Sequence, residues 1–465
     1  MNKLKKLFQT SESKHGSYSV AMTAIVIAII VIVNLIVGQL PENIRNIDIS
    51  SNNLYEISST TTDLLDTIDQ KITFTVLANK ENTDDRIKTF ISKYAALSKD
   101  ISVKWIDPVL HPSALTEYEA DSDTIVVGCA DTEKTTTVAF SDILVTDEMT
   151  AYYYGSSEPT EFDGEGQLTS AINYVTSDAT QMIYRTTGHG ESTFSTTISD
   201  MMKKSNYTVT ELNLFQAGEI PDDCDLLLFY APTNDLTEDE ATVVTNYLAA
   251  GGKVMVISGD KEASDLPNLS ALLKTYGFDQ AQGYIADMKN NYQGNYYYMI
   301  PTLSVSGDLA NGMSSQTTLV VNARGFNQVD PARDTITMTP FMTTSSAGYA
   351  IVDENNATEG TYVLGGIATE EVDNGTAQLT VISAASLIDS QITDSFSSLE
   401  NVTLFMNAVT NNFDGVTNLS IEAKTLTTET NTMQHGGLIS LFLIFGVPIL
   451  ILVGGFVVWF KRRKA

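Results

Sequence analysis

The sequence predicts an α/β ectodomain held between two transmembrane helices. Three observations predict it: each end of the 465-residue chain carries a long uncharged apolar run, bases flank both runs on their outer sides, and strand-like and helix-like stretches alternate between them. With 43 % hydrophobic residues there is ample material for a core. Two cysteines exclude a disulfide-built scaffold and every Cys-rich metal module. The 27 Lys and Arg stand against 57 Asp and Glu, a net charge of −30. No nucleic-acid partner is expected of so acidic a body.

The first apolar run, Val20 to Gly38, holds nineteen residues, and the second, Gly436 to Phe460, holds twenty-five. Each is long enough to cross about 30 Å of hydrocarbon as a helix and contact membrane lipid. The first exceeds the roughly 7–15 apolar residues of a cleaved signal peptide, and Asn34, Gln39, Leu40 and Pro41 supply no small-x-small cleavage site. An uncleaved anchor is the better reading. Pro448 is tolerable in a membrane helix, where neighbours satisfy the freed carbonyl. Lys3, Lys5, Lys6 and Lys14 precede the first span, and Lys461, Arg462, Arg463 and Lys464 follow the second, so both tails are expected in the cytoplasm. Without those eight bases and Glu12, the body keeps nineteen bases and fifty-six acids, about −37. The expected division is a cytoplasmic tail (1–19), a span (20–40), two α/β units (41–178 and 179–420), a Thr-rich stalk (421–435), a span (436–460) and a tail (461–465).

In the first unit, Ile72–Ala78 alternates apolar and β-branched residues as a strand does. Asp84 and Asp85 open a helix with Ile87, Phe90, Ile91, Tyr94 and Leu97 on one face. Strands follow at Ile101–Ile106, Thr124–Gly128 and Lys134–Phe140, then a helix around Leu168–Val175. That succession is thioredoxin-like. The redox chemistry of such a unit needs Cys-x-x-Cys at the start of the first helix, and residues 79–84 contain no cysteine. A binding or spacer role remains.

In the second unit, Gln181–Tyr184 is a strand and Thr186–Glu191 a loop, followed by a helix through Ile198 and Met202 and a strand at Thr208–Leu214. Asp225–Tyr230 is a continuous apolar run, as in a strand buried on both faces. Thr237 and Glu240 have capping-box spacing and open a helix that Gly251-Gly252 stops, before a strand at Lys253–Ser258. Repeated βα units of this length predict a flavodoxin-like, doubly wound parallel sheet. Beyond Gly277 the pattern loosens to strands at Tyr362–Ala368 and Gln378–Ala384 and a helix from Ser395 to about Asn411.

The loop Gly188-His189-Gly190-Glu191 is the foremost candidate site, because open α/β sheets bind ligands at the carboxyl ends of their strands. Its glycines allow close backbone approach, and the following helix N-terminus favours anions. Thr193 stands where a dinucleotide fingerprint needs its third glycine. Two readings stay open: a tight turn in which His189 and Glu191 hydrogen-bond neighbouring loops, or a ligand or partner contact that also draws on Glu165. His15 and His435 flank the spans, leaving only His111 and His189 in the body, so no metal site is expected. Asp121-Ser-Asp123 begins like a calcium loop but lacks the later Gly and Glu. No nucleophile elbow and no P-loop occur, so neither catalytic residues nor a cofactor are expected, and energy must come from a partner. A disulfide between Cys129 and Cys224 is one option outside the cell, two free thiols the other. Tyr292, Tyr296, Tyr297 and Tyr298, with Tyr284 and neighbouring Asn residues, form either an aromatic contact surface or a hairpin turning at Gln293-Gly294-Asn295 with tyrosines packed across its strands.

Six stretches in order carry a resemblance. They are Asp63–Thr75 with Trp105–Pro108, Phe162-Asp-Gly-Glu-Gly-Gln-Leu-Thr-Ser-Ala-Ile172, Tyr184-Arg-Thr-Thr-Gly-His-Gly-Glu191, Pro232–Glu240, and Tyr247-Leu-Ala-Ala-Gly-Gly252. Together they resemble the Gld-type auxiliary component of ABC transporters, a family named for gliding motility, over roughly Leu54 to Asp260. The resemblance implies a membrane-anchored extracytoplasmic subunit beside a separate permease and ATPase, with no established enzyme activity. The alternative from another class is a membrane-tethered hydrolase acting on carbohydrate through His189 or Glu191 and a distant carboxylate.

Overall fold

A computed structural model describes residues 53–146, 158–177, 180–393 and 399–426, and of the first apolar run only residues 25, 27–29 and 32, which are helical. Among the described residues no helix is long and apolar enough to cross a membrane. The spans expected at 20–40 and 436–460 lie, but for those few positions, outside the described residues, as do both tails and residues 427–435 of the stalk.

The first unit is a four-stranded sheet of β1 (Ile72–Leu77), β2 (Ile101–Ile106), β3 (Thr124–Cys129) and β4 (Thr135–Ala139), in the order β2-β1-β3-β4. β1 and β2 are parallel and the other pairs antiparallel. The three longer helices of the unit are α1 (Ser59–Thr67), α2 (Asp85–Ala95) and α3 (Gly164–Thr176), beside short ones at Ser113–Glu117 and Phe140–Ile143. Asp84 caps α2 by accepting from the Arg86 amide, and Ile87, Phe90, Ile91 and Tyr94 are buried along its inner face. Leu97, expected on that face, is 41 % exposed. The helix has ended by then, and the Leu97 amide turns back to the Tyr94 carbonyl.

Phe90 meets Phe162 edge-on, with ring centroids 5.2 Å apart. Gly164 threads between them, and a Cβ there would sit 2.8 Å from atoms of both rings. Gly164→Ala should therefore destabilise the chain by about 1–3 kcal/mol through overpacking. Thermal unfolding of the protein checks this; an unchanged midpoint would show that the rings move aside freely.

The second unit contains β5 (Gln181–Thr186), β6 (Tyr207–Leu212), β7 (Leu226–Tyr230), β8 (Lys253–Ile257), β9 (Phe278–Gln280), β10 (Phe326–Gln328), β11 (Ile336–Thr343), β12 (Val363–Val372) and β13 (Gly375–Ile382). Their order is β9-β10-β12-β13-β8-β7-β5-β6, with β11 beside β12. Within it, β6-β5-β7-β8-β13 run parallel in the doubly wound order 2-1-3-4-5. All five residues of β7 are buried. Helices α4 (Thr196–Lys204), α5 (Glu238–Ala249), α6 (Pro267–Thr275) and α7 (Asn401–Thr410) complete the unit. The loosened pattern beyond Gly277 has a structural cause. An antiparallel excursion, residues 278–372, is inserted before the fifth parallel strand, and its strands β9, β10, β11 and β12 alternate less regularly.

The described part of the last helix starts at Asn401, later than the Ser395 expected; 394–398 lie outside the described residues. Glu400 precedes the helix with φ −98° and ψ +33°, and its carboxylate accepts from the Ser314, Ser315 and Gln316 amides at 2.7, 3.0 and 2.7 Å. The tyrosine segment is a hairpin of Asn291–Tyr292 and Asn295–Met299, extended by Val320–Val321. Gln293 and Gly294 have φ +52° and +82°, the left-handed pair that a two-residue turn requires. The tyrosines do not face one another across the strands: Tyr292 is opposite Asn295 and Tyr298 opposite Val321. Cys129 and Cys224 are free thiols, so no disulfide joins them.

The two units meet at the start of α3. Lys204, the last residue of α4, puts Nζ 2.7 Å from Asp163 Oδ2, both side chains about 5–6 % exposed, and also donates to the Ile421 carbonyl at 3.2 Å. The chain then returns to the first unit. Lys424–Thr425, within the expected stalk, pair as a strand with Phe162–Glu161. Lys424 Nζ donates to the carbonyls of Asn53, at 3.1 Å, and Glu56. Entry and exit of the described body are thus tied together.

Candidate functional site

The order 2-1-3-4-5 reverses direction between β5 and β7, and the crevice at the carboxyl ends of those strands is where such sheets hold ligands. The loop after β5 carries Gly188 to Glu191, and the loop after β7 leads through Thr233 and Asn234 to the start of α5. The two glycines are dictated by backbone and space. Gly188 has φ +108° and Gly190 +71°, and a Cβ on Gly190 would lie 2.1 Å from Thr233 Oγ1. The His189 carbonyl accepts from the Thr233 and Asn234 amides, both at 2.9 Å, which fastens one loop to the other.

His189 sits between two carboxylates. Its Nδ1 is 3.2 Å from Glu191 Oε1 and its Nε2 is 3.1 Å from Glu240 Oε1. The side chains of His189, Glu191 and Glu240 are 7, 2 and 5 % exposed. Each carboxylate is fixed by its other oxygen. Glu191 Oε2 accepts from the His189 amide at 2.8 Å, and Glu240 Oε2 from the Thr237 amide and hydroxyl at 2.9 and 2.8 Å. The capping box of α5 therefore has a second duty, holding a carboxylate against the imidazole.

The electrostatics follow. The Glu191 hydrogen bond raises the His189 pKa above its ordinary range, against the opposing effect of burial and with further help from Glu240. Glu191 is penalised by burial, yet the His189 ring and backbone hydrogen bonds hold its carboxyl down at about 2. Both carboxylates thus favour a proton on the ring, Glu191 through a hydrogen bond with Nδ1 and Glu240 by its proximity to Nε2. Stability contributed by His189 is fully present below about pH 6.5 and lost as pH rises through the elevated folded value. Stability contributed by Glu191 is present above its ordinary 4.5 and lost as pH falls through about 2. Melting temperature should accordingly be highest between about pH 4.5 and 6.5 as far as this triad sets it. A pH series with His189→Gln as control checks it: the alkaline decline should be shallower in the variant.

Beside the triad lies an open cleft of about 270 Å³, lined by Gly188, His189, Asn213, Asn234, Thr237 and Glu240, with Asp235 and a 75 % exposed Phe215 at its margin. Its lining contains no lysine or arginine. Asp235 has both oxygens engaged by the Asn268 and Leu269 amides at 2.8 and 3.1 Å. The loop's own Glu191 carboxylate accepts the backbone N–H that a bound anion would use. The lining suits uncharged or cationic groups better than phosphate.

Of the residues singled out in the sequence, Gly188, His189, Gly190 and Glu191 are together here. Glu165 is in the first unit, where its Oε1 accepts from the Ser58 amide and hydroxyl and the Thr61 hydroxyl at 2.7, 2.6 and 2.8 Å. Lys424 Nζ lies 3.6 Å from its other oxygen. It braces α1 and the returning strand. The tyrosines occupy a separate three-stranded sheet, with Tyr296 46 % exposed and Tyr292, Tyr297 and Tyr298 half-buried. Glu240, Asp163 and Lys204 carry charge at the two key places and were not singled out as site residues. The capping-box spacing marked Glu240 as a helix-start residue only. No groups of His, Cys, Asp and Glu suited to a metal occur among the described residues.

Solved structures similar to the chain include the mmIFT52 N-terminal domain, at 17 % identity and a TM-score of 0.37, over 49 % of this chain and 95 % of that one. A ThuA-like protein from Bacteroides uniformis is similar at 10 % identity and a TM-score of 0.32, over 53 % and 98 %. A beta-galactosidase from Rahnella sp. is similar at 10 % and 0.24, over 76 % and 47 %. No curated protein matches. Residues 51–146, most of the first unit, match a family described as a domain of unknown function. Residues 180–364, which contain the whole cleft and run well past Asp260, match the family described as ABC-type uncharacterized transport system, auxiliary component.

Proposed function

We propose that the chain is a membrane-anchored, extracytoplasmic auxiliary subunit of Gld type, working beside a separate permease and ATPase of an ABC-type transport system. The observation that carries this is the match of residues 180–364 to the transport-system family. Topology supports it. The apolar runs at 20–38 and 436–460, with bases outside both, read as two spans with cytoplasmic tails. Lys424 gripping the carbonyls of Asn53 and Glu56 brings the ends of the body to one place, as two neighbouring anchors require.

The cleft makes the second unit a binding or coupling module. His189 is wedged between Glu191 and Glu240, and each carboxylate is tied down through its other oxygen by the His189 amide or by Thr237, so the three are held in place as a fixed surface. Binding is favoured over the tethered-hydrolase reading on that ground. Co-purification in mild detergent should recover a polytopic permease and an ATPase with the chain, and recovery of a lone protein overturns the proposal. Exchanging His189 and Glu191 together separates the two readings: lost assembly fits the subunit, while lost turnover with assembly intact fits the hydrolase.

A further inference from the structure

The β2–β3 connection opens with a rigid apolar knob. Val109 is 83 % exposed and Leu110 72 %, and the turn that presents them is tightly held. Asp107 Oδ1 accepts from the Val109 amide at 2.9 Å, and its carbonyl from the Leu110 and His111 amides at 3.1 and 2.9 Å. Asn79 Nδ2 donates to Asp107 Oδ2 at 2.6 Å, and Pro108 and Pro112 bracket the loop. Such a turn loses little conformational freedom on docking.

Two further observations say what covers it. From Asp107 to Asp123 the chain has five carboxylates, Asp107, Glu117, Glu119, Asp121 and Asp123, and neither Lys nor Arg. The last four are exposed. The ladder also places the knob at a defined end of the sheet. Ile106 is level with Leu77, Leu77 with Thr124, and Thr124 with Ala139. Just beyond Ala139 the chain reaches Leu144–Val145, which pairs with the strand that pairs with Lys424–Thr425. The knob is thus at the sheet end from which the body's two termini leave.

Resting on the subunit reading above, we propose that Val109 and Leu110 dock into an apolar pocket, rimmed by Lys and Arg, on the extracytoplasmic face of the membrane-embedded permease. The acidic rim favours such a protein over bilayer, whose anionic headgroups repel carboxylates. Two apolar side chains at the centre of a complementary charged rim suffice as an anchor, because a few buried residues carry most of an interface's energy.

The test uses the full chain co-expressed with its permease and ATPase. A photo-crosslinker replacing Leu110 should link to the permease. Val109→Asp with Leu110→Asp should lower affinity for the complex about tenfold or more, with the melting temperature unchanged because both residues are exposed. Glu117→Lys with Glu119→Lys should weaken assembly at low salt and flatten its salt dependence. Crosslinks to lipid or to nothing, or full assembly by the double Asp variant, overturn the docking proposal and leave the subunit reading standing. Failure of the unaltered chain to assemble overturns both.

Discussion

Replacing His189 with alanine should cost about 3–5 kcal/mol, because it strands Glu191 and Glu240 in a buried site with no counter-charge. The two side chains are 2 and 5 % exposed. Their remaining hydrogen bonds, from the residue-189 amide and from Thr237, satisfy oxygens but do not neutralise charge. The group that answers to mild acid should also change, from His189 in the unaltered protein to a carboxylate in the variant. In the unaltered protein acid removes what Glu191 contributes as its carboxyl is titrated near 2. In His189→Ala the carboxylates lose the cation that lowers them, burial pushes them up, and mild acid should stabilise by protonating one. His189→Ala with Glu240→Gln should recover a large part of the loss, since one buried charge is removed. Melting curves at pH 5 and pH 8 on the unaltered protein and the two variants check the set. A His189→Ala midpoint that falls on acidification would show that the imidazole is not the counter-charge.

This triad also marks how far sequence reading reached. Elements defined by neighbours along the chain were legible: the alternation of β1, the buried face Ile87, Phe90, Ile91 and Tyr94 of α2, and the Thr237–Glu240 box. Leu97 misled because periodicity does not say where a helix ends. The loop Gly188–Glu191 was legible as a site because glycines and the carboxyl end of a strand are both local signals. Its partner Glu240 was not, since only the adjacency of β5 and β7 brings α5 to that loop. The same holds for β13. An antiparallel excursion separates it from β8 along the chain, yet Lys253–Ile257 pair with Gln378–Ile382 in register. In each case sheet order supplies what spacing cannot.

Removing the cation at the junction should have the other large effect. Lys204→Met leaves Asp163 buried with Gln167 Nε2, 2.8 Å from Oδ2, as its side-chain donor, while Oδ1 has no hydrogen-bond partner. An uncompensated buried carboxylate costs about 3–5 kcal/mol. Burial already pushes the Asp163 carboxyl above its ordinary range despite Lys204, so without the lysine it should take up a proton closer to neutrality. Mild acid should then rescue Lys204→Met, and Asp163→Asn with Lys204→Met should cost less than the lysine change alone. The consequence reaches beyond stability. Lys204 ends the helix that begins after the His189 loop, and Asp163 begins the helix whose first turn Lys424 ties to the body's entry and exit. The pair is thus a charged contact between the cleft-bearing unit and the place where the described body begins and ends. Breaking it should split one cooperative melting transition into two, seen by calorimetry of the chain. A single transition shifted by less than about 1 kcal/mol would mean that apolar packing and the returning strand hold the units together without it.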